Sequence, residues 1–188
     1  MDDWQAYADA VVVAHVSGEK AIPAPKSETT EYGGTDLIGR EISVEIAKVL
    51  WSYPQSERKV SEHITFDAAG WLDDGKASTE VVAGEGSRLE PGHDYVLALK
   101  WFPERSDGDE TEPAQWGVIG SGGALPADGG IIGVGEYLGV ETSEGGVRTA
   151  PEGSVLAEHT GRSVDEFTTS IVGFERIERE PVVEEKNG

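Results

Sequence analysis

The sequence contains no cysteine among its 188 residues. This absence excludes disulfide bonds, thiolate metal sites and a cysteine nucleophile, but it does not identify a compartment. The chain also lacks an apolar run of the ~20 residues that a membrane helix requires. Residues 1–5 are acidic and carry no basic segment, so we expect no signal peptide in this chain. The sequence favours a soluble, cytoplasmic protein. The alternative is an exported protein in which Met1 stands in place of the leader.

Positive charge is scarce. The chain has 15 Lys and Arg residues against 36 Asp and Glu residues, which gives a formal net charge of -21 at pH 7. Such a field repels phosphate backbones and anionic lipid surfaces. We therefore expect no nucleic-acid partner and no membrane partner, but a protein, peptide or small-molecule ligand. The acidity is typical of a solubilising surface, and the sharper alternative is an acidic mimic of nucleic acid that binds a basic protein.

Alternating apolar residues predict that most of the chain forms β-strands. Within residues 40–51, Ile42, Val44 and Ile46 alternate with polar residues, which is the pattern of a strand with one wet face. The alternation slips at Ala47, so we expect a β-bulge there. Short strands separated by turn signals favour a β-barrel or sandwich of OB-like form. Further strands are predicted at 8–16, 62–68, 95–102, 115–119 and 130–134.

The last part of the chain predicts an α-helix over 163–178. Ser163 can cap its first turn and Glu166 stands three residues later, which is the pattern of a capping box. Apolar residues then recur at helical spacing and predict one stripe against the β-structure. This stripe consists of Val164, Phe167, Ile171 and Phe174. We expect one β-barrel-like domain over 1–181 that includes this helix, and a flexible tail over 182–188.

Five tryptophans are the most unusual feature of the composition. Trp is rarely wholly buried, and its ring N–H requires a hydrogen-bond partner. Several of them could line a groove for a peptide or a sugar, and the alternative is that each fills the core or covers its end. Trp71 falls in a turn predicted at 70–75. The residues that we predict to bind a ligand are Trp51, Trp71, Trp101 and Trp116.

The four histidines could supply metal ligands. Three of them with a carboxylate could bind zinc, but their spacing matches no metal motif such as HExxH. The alternative function that they leave open is a metal-dependent hydrolase that uses His63 or His93 with nearby carboxylates. We predict no resident cofactor or metal and assign no catalytic residue.

Three segments carry resemblances to known families. Residues 92–99 read G-x-x-Y-x-L-x-L and residues 42–51 read ISVEIAKVLW, and together they resemble OB-type barrels of the netrin and tissue-inhibitor-of-metalloproteinase kind. Inhibitors of that family use an N-terminal cysteine, which this chain lacks, so the resemblance implies the fold and not the inhibition. Residues 126–136, PADGGIIGVGE, are similar to a segment of acidic actinobacterial β-barrel proteins, a resemblance that covers most of the chain and implies no activity. We interpret the chain as a non-enzymatic binding module.

Overall fold

A computed structural model describes residues 1–22, 36–56, 58–82, 84, 86–107, 110–142 and 150–175. The predicted fold class, mainly β with a C-terminal helix, is confirmed over these residues. None of the described helices is long and apolar enough to cross a membrane. The elements in chain order are α1 (Asp2–Tyr7), β1 (Ala10–Ile22), β2 (Asp36–Ser52), β3 (His63–Asp73), β4 (Ser78–Glu80), β5 (Asp94–Phe102), β6 (Arg105–Asp107), β7 (Glu110–Glu112), β8 (Gln115–Val118), the 3-10 helix η1 (Ser121–Gly123), β9 (Ala124–Pro126), the 3-10 helix η2 (Asp128–Gly130), β10 (Gly135–Tyr137), β11 (Val140–Thr142), α2 (Val155–His159) and α3 (Val164–Ile171).

Among the described residues, one antiparallel sheet organises the molecule. Its strand order is β4, β3, β2, β1, β5 and β8, and β9 pairs with β5 as well. Each strand from β3 through β2, β1 and β5 to β8 runs antiparallel to the next, so β3 and β8 run in the same direction. No backbone pairing joins β3 to β8 in the part of the chain that the structure describes. No closed barrel is therefore formed there, and the OB-like barrel stays a prediction.

The central strand β1 separates two hydrophobic clusters. On one side, which we call the inner face, Val12 packs with apolar side chains of β2, β3, β5 and β8. On the other side, the outer face, Val11 packs with side chains of α1, α2 and α3. The ring of Trp4 on α1 meets that of Phe167 on α3 edge-on, with centroids 5.7 Å apart. Both faces of residues 10–14 of β1 and of residues 95–99 of β5 are therefore buried, which explains why these stretches are apolar on both sides.

The β-bulge predicted at Ala47 is confirmed. Val13 pairs with Lys48 and Ala14 pairs with Ile46, so Ala47 has no partner on β1. An extra residue on one strand bends that strand and increases its twist. β2, which is 17 residues long, therefore curves while it pairs with both β1 and β3.

The capping box predicted for the C-terminal helix is confirmed. The Ser163 hydroxyl accepts a hydrogen bond from the Glu166 N–H at 3.2 Å, and the Glu166 carboxylate accepts one from the Ser163 N–H at 2.9 Å. These reciprocal bonds satisfy backbone donors that a helix start leaves open. In the apolar stripe, Val164, Phe167 and Ile171 are buried on the outer face.

Helix α3 is shorter than predicted. It ends at Ile171 rather than at residue 178, and Gly173, whose helix propensity is low, follows its end. The residues beyond 175 lie outside the described part of the chain, and so does the tail predicted at 182–188. The extent of 1–181 given to the domain stays a prediction.

Two further sequence predictions are wrong. The turn predicted at 70–75 begins too early, because β3 continues through Asp73 and pairs with β4 there. The strand predicted at 130–134 does not form, and β9 at Ala124–Pro126 pairs with β5 instead. Gly130 and Gly133 have φ angles of 76° and 87°, which a continuous strand does not allow.

Candidate functional site

Two of the four tryptophans predicted to bind a ligand meet on the inner face. β5 and β8 pair Trp101 with Trp116 across the sheet. Their ring centroids lie 5.4 Å apart and their planes meet at 68°, an edge-to-face arrangement. Trp116 is only 5% exposed, whereas Trp101 is partly exposed. One buried ring therefore supports a second ring that a ligand can reach.

The other two tryptophans lie elsewhere. Trp51 packs on the outer face, with its ring centroid 6.4 Å from that of Tyr53 and 6.0 Å from that of Phe174. Trp71 lies near the end of β3, where the guanidinium carbon of Arg88 is 5.1 Å from its ring centroid. The structure does not bring the four rings into one site.

A groove of about 450 Å³ opens beside Trp101 and Trp116, between the starts of β3 and β8. We call it the Trp groove. Its volume falls within the range of roughly 300–1,000 Å³ that ligand sites occupy. Besides the two rings, its walls include Glu41, Arg58, Lys59, His63, Asp67 and Gln115.

Arg58 and Lys59 stand in the loop that leads into β3. The guanidinium carbon of Arg58 lies 5.4 Å from the Trp101 ring centroid, within cation–π range. The Ser56 hydroxyl donates to the Arg58 carbonyl at 2.9 Å, and the Ser61 hydroxyl donates to the His63 carbonyl at 2.7 Å. These bonds hold the loop so that two cations lie at the start of β3.

The edge of β3 that faces the groove is unpaired. The Ile46 N–H of β2 donates to the Glu62 carbonyl at 2.8 Å. Along an antiparallel pair, every second residue directs its N–H and C=O towards the partner strand, and the residues between direct theirs away from it. The alternation places the N–H and C=O groups of Thr65 and Asp67 on the side away from β2. Among the described residues, β2 is the only strand that pairs with β3 at these two positions, so the opposite edge of β3 is free there.

The facing edge of β8 is unpaired as well. The Ile119 N–H donates to the Ala98 carbonyl at 3.0 Å. The same alternation therefore directs the backbone groups of Trp116 and Val118 away from β5. Two free strand edges border the seam between β3 and β8 in the part that the structure describes.

Charge is distributed unequally along the groove. Arg58, Lys59 and His63 lie at the end where β3 begins. Asp67 lies further along β3, opposite Glu41 of β2. A ligand that follows β3 therefore meets cations at one end and carboxylates at the other.

The structure keeps the two histidines of the hydrolase hypothesis apart. His63 of β3 lies in line with Glu45 of β2, His15 of β1 and Asp94 of β5. Three strand spacings, about 14 Å, therefore separate His63 from Asp94, the residue that follows His93. In the described residues, no group of three His, Asp or Glu side chains could hold a metal ion. The two histidines therefore do not share one site, and a metal-dependent hydrolase that uses His63 or His93 with carboxylates stays a prediction.

His93 instead forms a local ion pair. Its Nδ1 lies 2.7 Å from the Asp128 carboxylate. Partial burial, the largest single effect, lowers the pKa of His93, but the hydrogen bond and charge of Asp128 and the charges of Glu141 and Glu136 outweigh it. The pKa of His93 is therefore raised above its ordinary value.

A buried carboxylate that sequence reasoning missed lies near the end of the sheet. Glu136 is 1% exposed. It accepts hydrogen bonds from the N–H groups of Arg88, Leu89 and Gly139 at 2.9, 3.1 and 2.6 Å. The Tyr95 hydroxyl donates to the same carboxylate at 2.8 Å. Four protein donors therefore surround this carboxylate, and two of them are the backbone N–H groups of residues 88–89.

A second space, of about 460 Å³, lies at the other end of the seam. We call it the apolar cavity. Its walls meet those of the Trp groove at Phe66 and Asp67. The apolar side chains that line it are Phe66, Ala68, Ala69, Val81, Leu89, Val118 and Ala124.

Arg88 is the one cation of this lining within the described residues. It is 3% exposed and forms an ion pair with Glu90, while Glu80 lies 3.8 Å away. Its side chain also donates to the Gly70 carbonyl at 3.4 Å. Its Nε is buried and has no hydrogen-bond partner among the described residues.

Comparison with known proteins adds no relative. No family profile, curated protein or solved structure matches the chain. The functional interpretation therefore depends on the geometry of the Trp groove and the apolar cavity.

Proposed function

We propose that the protein is a non-enzymatic binding module for an extended peptide, which adds to the free edge of β3 in the Trp groove. The observation that carries this proposal is the unpaired edge at Thr65 and Asp67, which opens beside the rings of Trp101 and Trp116. In this mode of recognition, main-chain hydrogen bonds supply affinity and alternate side chains supply specificity.

A peptide matches this edge better than a sugar does. The backbone of Thr65 and Asp67 offers donors and acceptors that repeat every two residues, and a peptide strand repeats with the same period. The partly exposed ring of Trp101 then offers a flat apolar surface for one peptide side chain. Aromatic anchors of this kind dominate the energetics of many interfaces.

The strand directions and the charges define how the peptide lies. We place the peptide antiparallel to β3, the commoner sense of strand pairing. Such a peptide runs from Asp67 towards Arg58 and Lys59. Its free C-terminal carboxylate then meets the two cations, and a basic residue near its N-terminal end meets Asp67 and Glu41.

The test uses the synthetic pentapeptide Lys-Thr-Leu-Thr-Val, which contains no tryptophan, so the fluorescence of the protein reports binding. We expect the free-acid peptide to bind, and we expect the C-terminal amide to bind roughly three- to tenfold more weakly because it lacks the charge. N-methylation of the backbone groups that face β3 should abolish binding. N-methylation of the alternate groups should weaken it much less.

Variants of the protein locate the peptide. Thr65→Pro removes an N–H that the ladder with β2 does not use and should abolish binding, since proline is tolerated on a free edge. Trp101→Leu should weaken binding at least roughly tenfold. Lys59→Gln should weaken binding of the free acid, whereas Lys76→Gln, in the exposed turn after β3, is the matched control and should not.

Two results would contradict the proposal. The first is equal binding of the free acid, the amide and both N-methylated peptides. The second is capture of a basic protein that Thr65→Pro and Trp101→Leu leave unchanged, which would favour acidic mimicry of nucleic acid instead.

A further inference from the structure

We infer that His159 is an acid-sensitive latch, whose protonation releases α2 and α3 from the outer face while the sheet stays folded. We call residues 150–175, which contain both helices, the helical cover. The inference concerns the outer face and does not depend on peptide binding in the Trp groove.

His159 is the last residue of α2 and is buried against α3. It is only 6% exposed, and its ring centroid lies 5.0 Å from that of Phe167, with the ring planes at 88°. Phe167 is fully buried and also meets the ring of Trp4 on α1. The imidazole is therefore the end of a row of three rings that joins α2, α3 and α1 on the outer face.

This position suits a neutral imidazole and not a charged one. The Nδ1 atom of His159 is buried and has no hydrogen-bond partner among the described residues. A neutral imidazole keeps one nitrogen without a proton, whereas the imidazolium carries an N–H donor on both nitrogens. Protonation in place would therefore bury a positive charge together with a donor that has no acceptor, which costs free energy.

The nearest charges add to this cost. Arg162, in the turn after α2, and the N-terminal amine of Met1 are positive, whereas Glu158 on α2 is negative. Burial, the largest effect, and then the charge of Arg162 lower the pKa of His159, and Glu158 does not offset them.

The carboxylates of α3 are directed elsewhere. Asp165 and Glu166 are both exposed. The Asp165 carboxylate pairs with Lys48 of β2, and that of Glu166 accepts the Ser163 N–H. The side chain that α3 presents to His159 is the apolar ring of Phe167.

The helical cover depends on its packing. α2 has five residues and α3 has eight, and helices this short are marginal in water by themselves. The turn between them is tied to the chain at Ile132, whose N–H donates to the Arg162 carbonyl at 2.9 Å and whose carbonyl accepts the Gly161 N–H at 2.8 Å. When the charged ring moves into water, the contact with Phe167 is lost and the helices can separate about this turn.

The sheet does not share this sensitivity. Its inner-face cluster contains no residue of the helical cover, and backbone pairing holds β1 between β2 and β5. His93 responds to acid in the opposite sense, because its pKa is raised despite partial burial, and its protonated form is paired with Asp128. Mild acid therefore weakens the cover and not the sheet beneath it.

Hydrogen exchange of the full chain, followed by mass spectrometry, tests the latch between about pH 7.5 and about pH 5, where most carboxylates stay ionised. Protection factors are corrected for the intrinsic effect of pH on exchange. Below the ordinary imidazole pKa of about 6.5, protection of residues 155–171 should fall by up to roughly tenfold per pH unit, the limit for uptake of one proton. Protection in β1 and β5 should not change.

Variants identify the group that takes up the proton. His159→Leu cannot be protonated, so protection of the helical cover should no longer depend on pH. His15→Gln removes a partly exposed imidazole on β1 and is the matched control, which should keep the full pH dependence. Arg162→Gln removes a charge that opposes protonation, so the loss of protection in acid should be smaller. If His159→Leu does not fold, His159→Met provides the same test, because methionine adapts to irregular apolar spaces.

Any of three results would overturn the inference. Protection of the helical cover is independent of pH, the cover and the sheet lose protection together, or the variant without an imidazole at residue 159 keeps the pH dependence of the native protein. The pentapeptide assay at neutral pH uses residues of the inner face, so the latch and the peptide proposal can fail independently.

Discussion

The hydroxyl of Tyr95 on β5 donates a hydrogen bond to the buried carboxylate of Glu136 on β10, with 2.8 Å between the oxygens. Burial, and then the charge of Glu136, raises the pKa of the Tyr95 phenol far above its ordinary value. The same carboxylate receives the Leu89 N–H, and Leu89 has a φ of 67°, in the left-handed region. The Glu136 carboxylate therefore accepts a hydrogen bond from a non-glycine residue that is held in a strained conformation.

Glu136→Gln should destabilise the fold by about 2–3 kcal/mol. The amide keeps the shape but points an N–H₂ group at donors that now have no acceptor. The free energy of unfolding in urea measures the loss. Glu152→Gln, at an exposed position, is the matched control. A loss below about 0.5 kcal/mol, the range of ordinary surface changes, would show that the buried carboxylate is unimportant for stability.

His93 should stabilise the protein most at low pH. Its pKa is raised in the folded state, so its contribution is complete below the pKa of the unfolded chain and is lost as the pH rises through the folded pKa. The difference in unfolding free energy between the native protein and His93→Gln should therefore shrink as the pH rises above the ordinary imidazole pKa of about 6.5. NMR titration of the imidazole gives its pKa directly. Asp128→Asn should lower that pKa, and no change would contradict the ion pair.

His159 should have the opposite dependence. Burial, followed by the positive charge of Arg162, lowers its pKa, so its contribution is complete above the unfolded pKa and is lost as the pH falls through the folded pKa. His159→Leu should keep the contact with Phe167 and make the protein less sensitive to acid than the native chain is. Urea unfolding at about pH 5 and about pH 8 compares the two proteins. Equal acid sensitivity would rule out protonation of His159 as a cause.

Ser163→Ala should cost about 1 kcal/mol, because it removes the cap of α3 and with it the reciprocal bond to Glu166. Thr169→Ala, at an exposed position in the same helix, should be neutral or slightly stabilising, since alanine has the higher helix propensity. Thermal unfolding followed by circular dichroism distinguishes the two variants. If both have the same melting temperature, the capping box contributes nothing.

Local signals in the sequence predicted the features that depend on neighbouring residues. The break in alternation at Ala47 predicted a β-bulge, and the Ser163–Glu166 spacing predicted a capping box. Each signal involves only a few neighbouring residues, and both predictions are confirmed. The predicted continuation of the helix past Ile171 is wrong because the apolar stripe alone does not show where packing on the sheet ends. The turn predicted at 70–75 is wrong because Gly70 sits at an irregularity within β3 and not at its end.

The residues of the Trp groove could be predicted only in part from the sequence, because their arrangement depends on the register between strands that are distant in the chain. The sequence shows that Trp101 and Trp116 exist but not that β5 and β8 place them opposite each other. It gave no reason to separate these rings from Trp51 and Trp71. The role of Glu136 depends on Tyr95 and on residues 88–89, far away in sequence. Nothing in the spacing of 36 acidic residues distinguishes it from the others.

The two free edges along the seam also make each molecule a template for its own copies. Exposed strand edges pair readily with those of another chain and start ordered aggregation. The net charge of -21 opposes this, because every approach of two copies is repulsive. Salt at 1 M shortens the screening length to about 3 Å, so the folded protein loses this repulsion before any unfolding takes place.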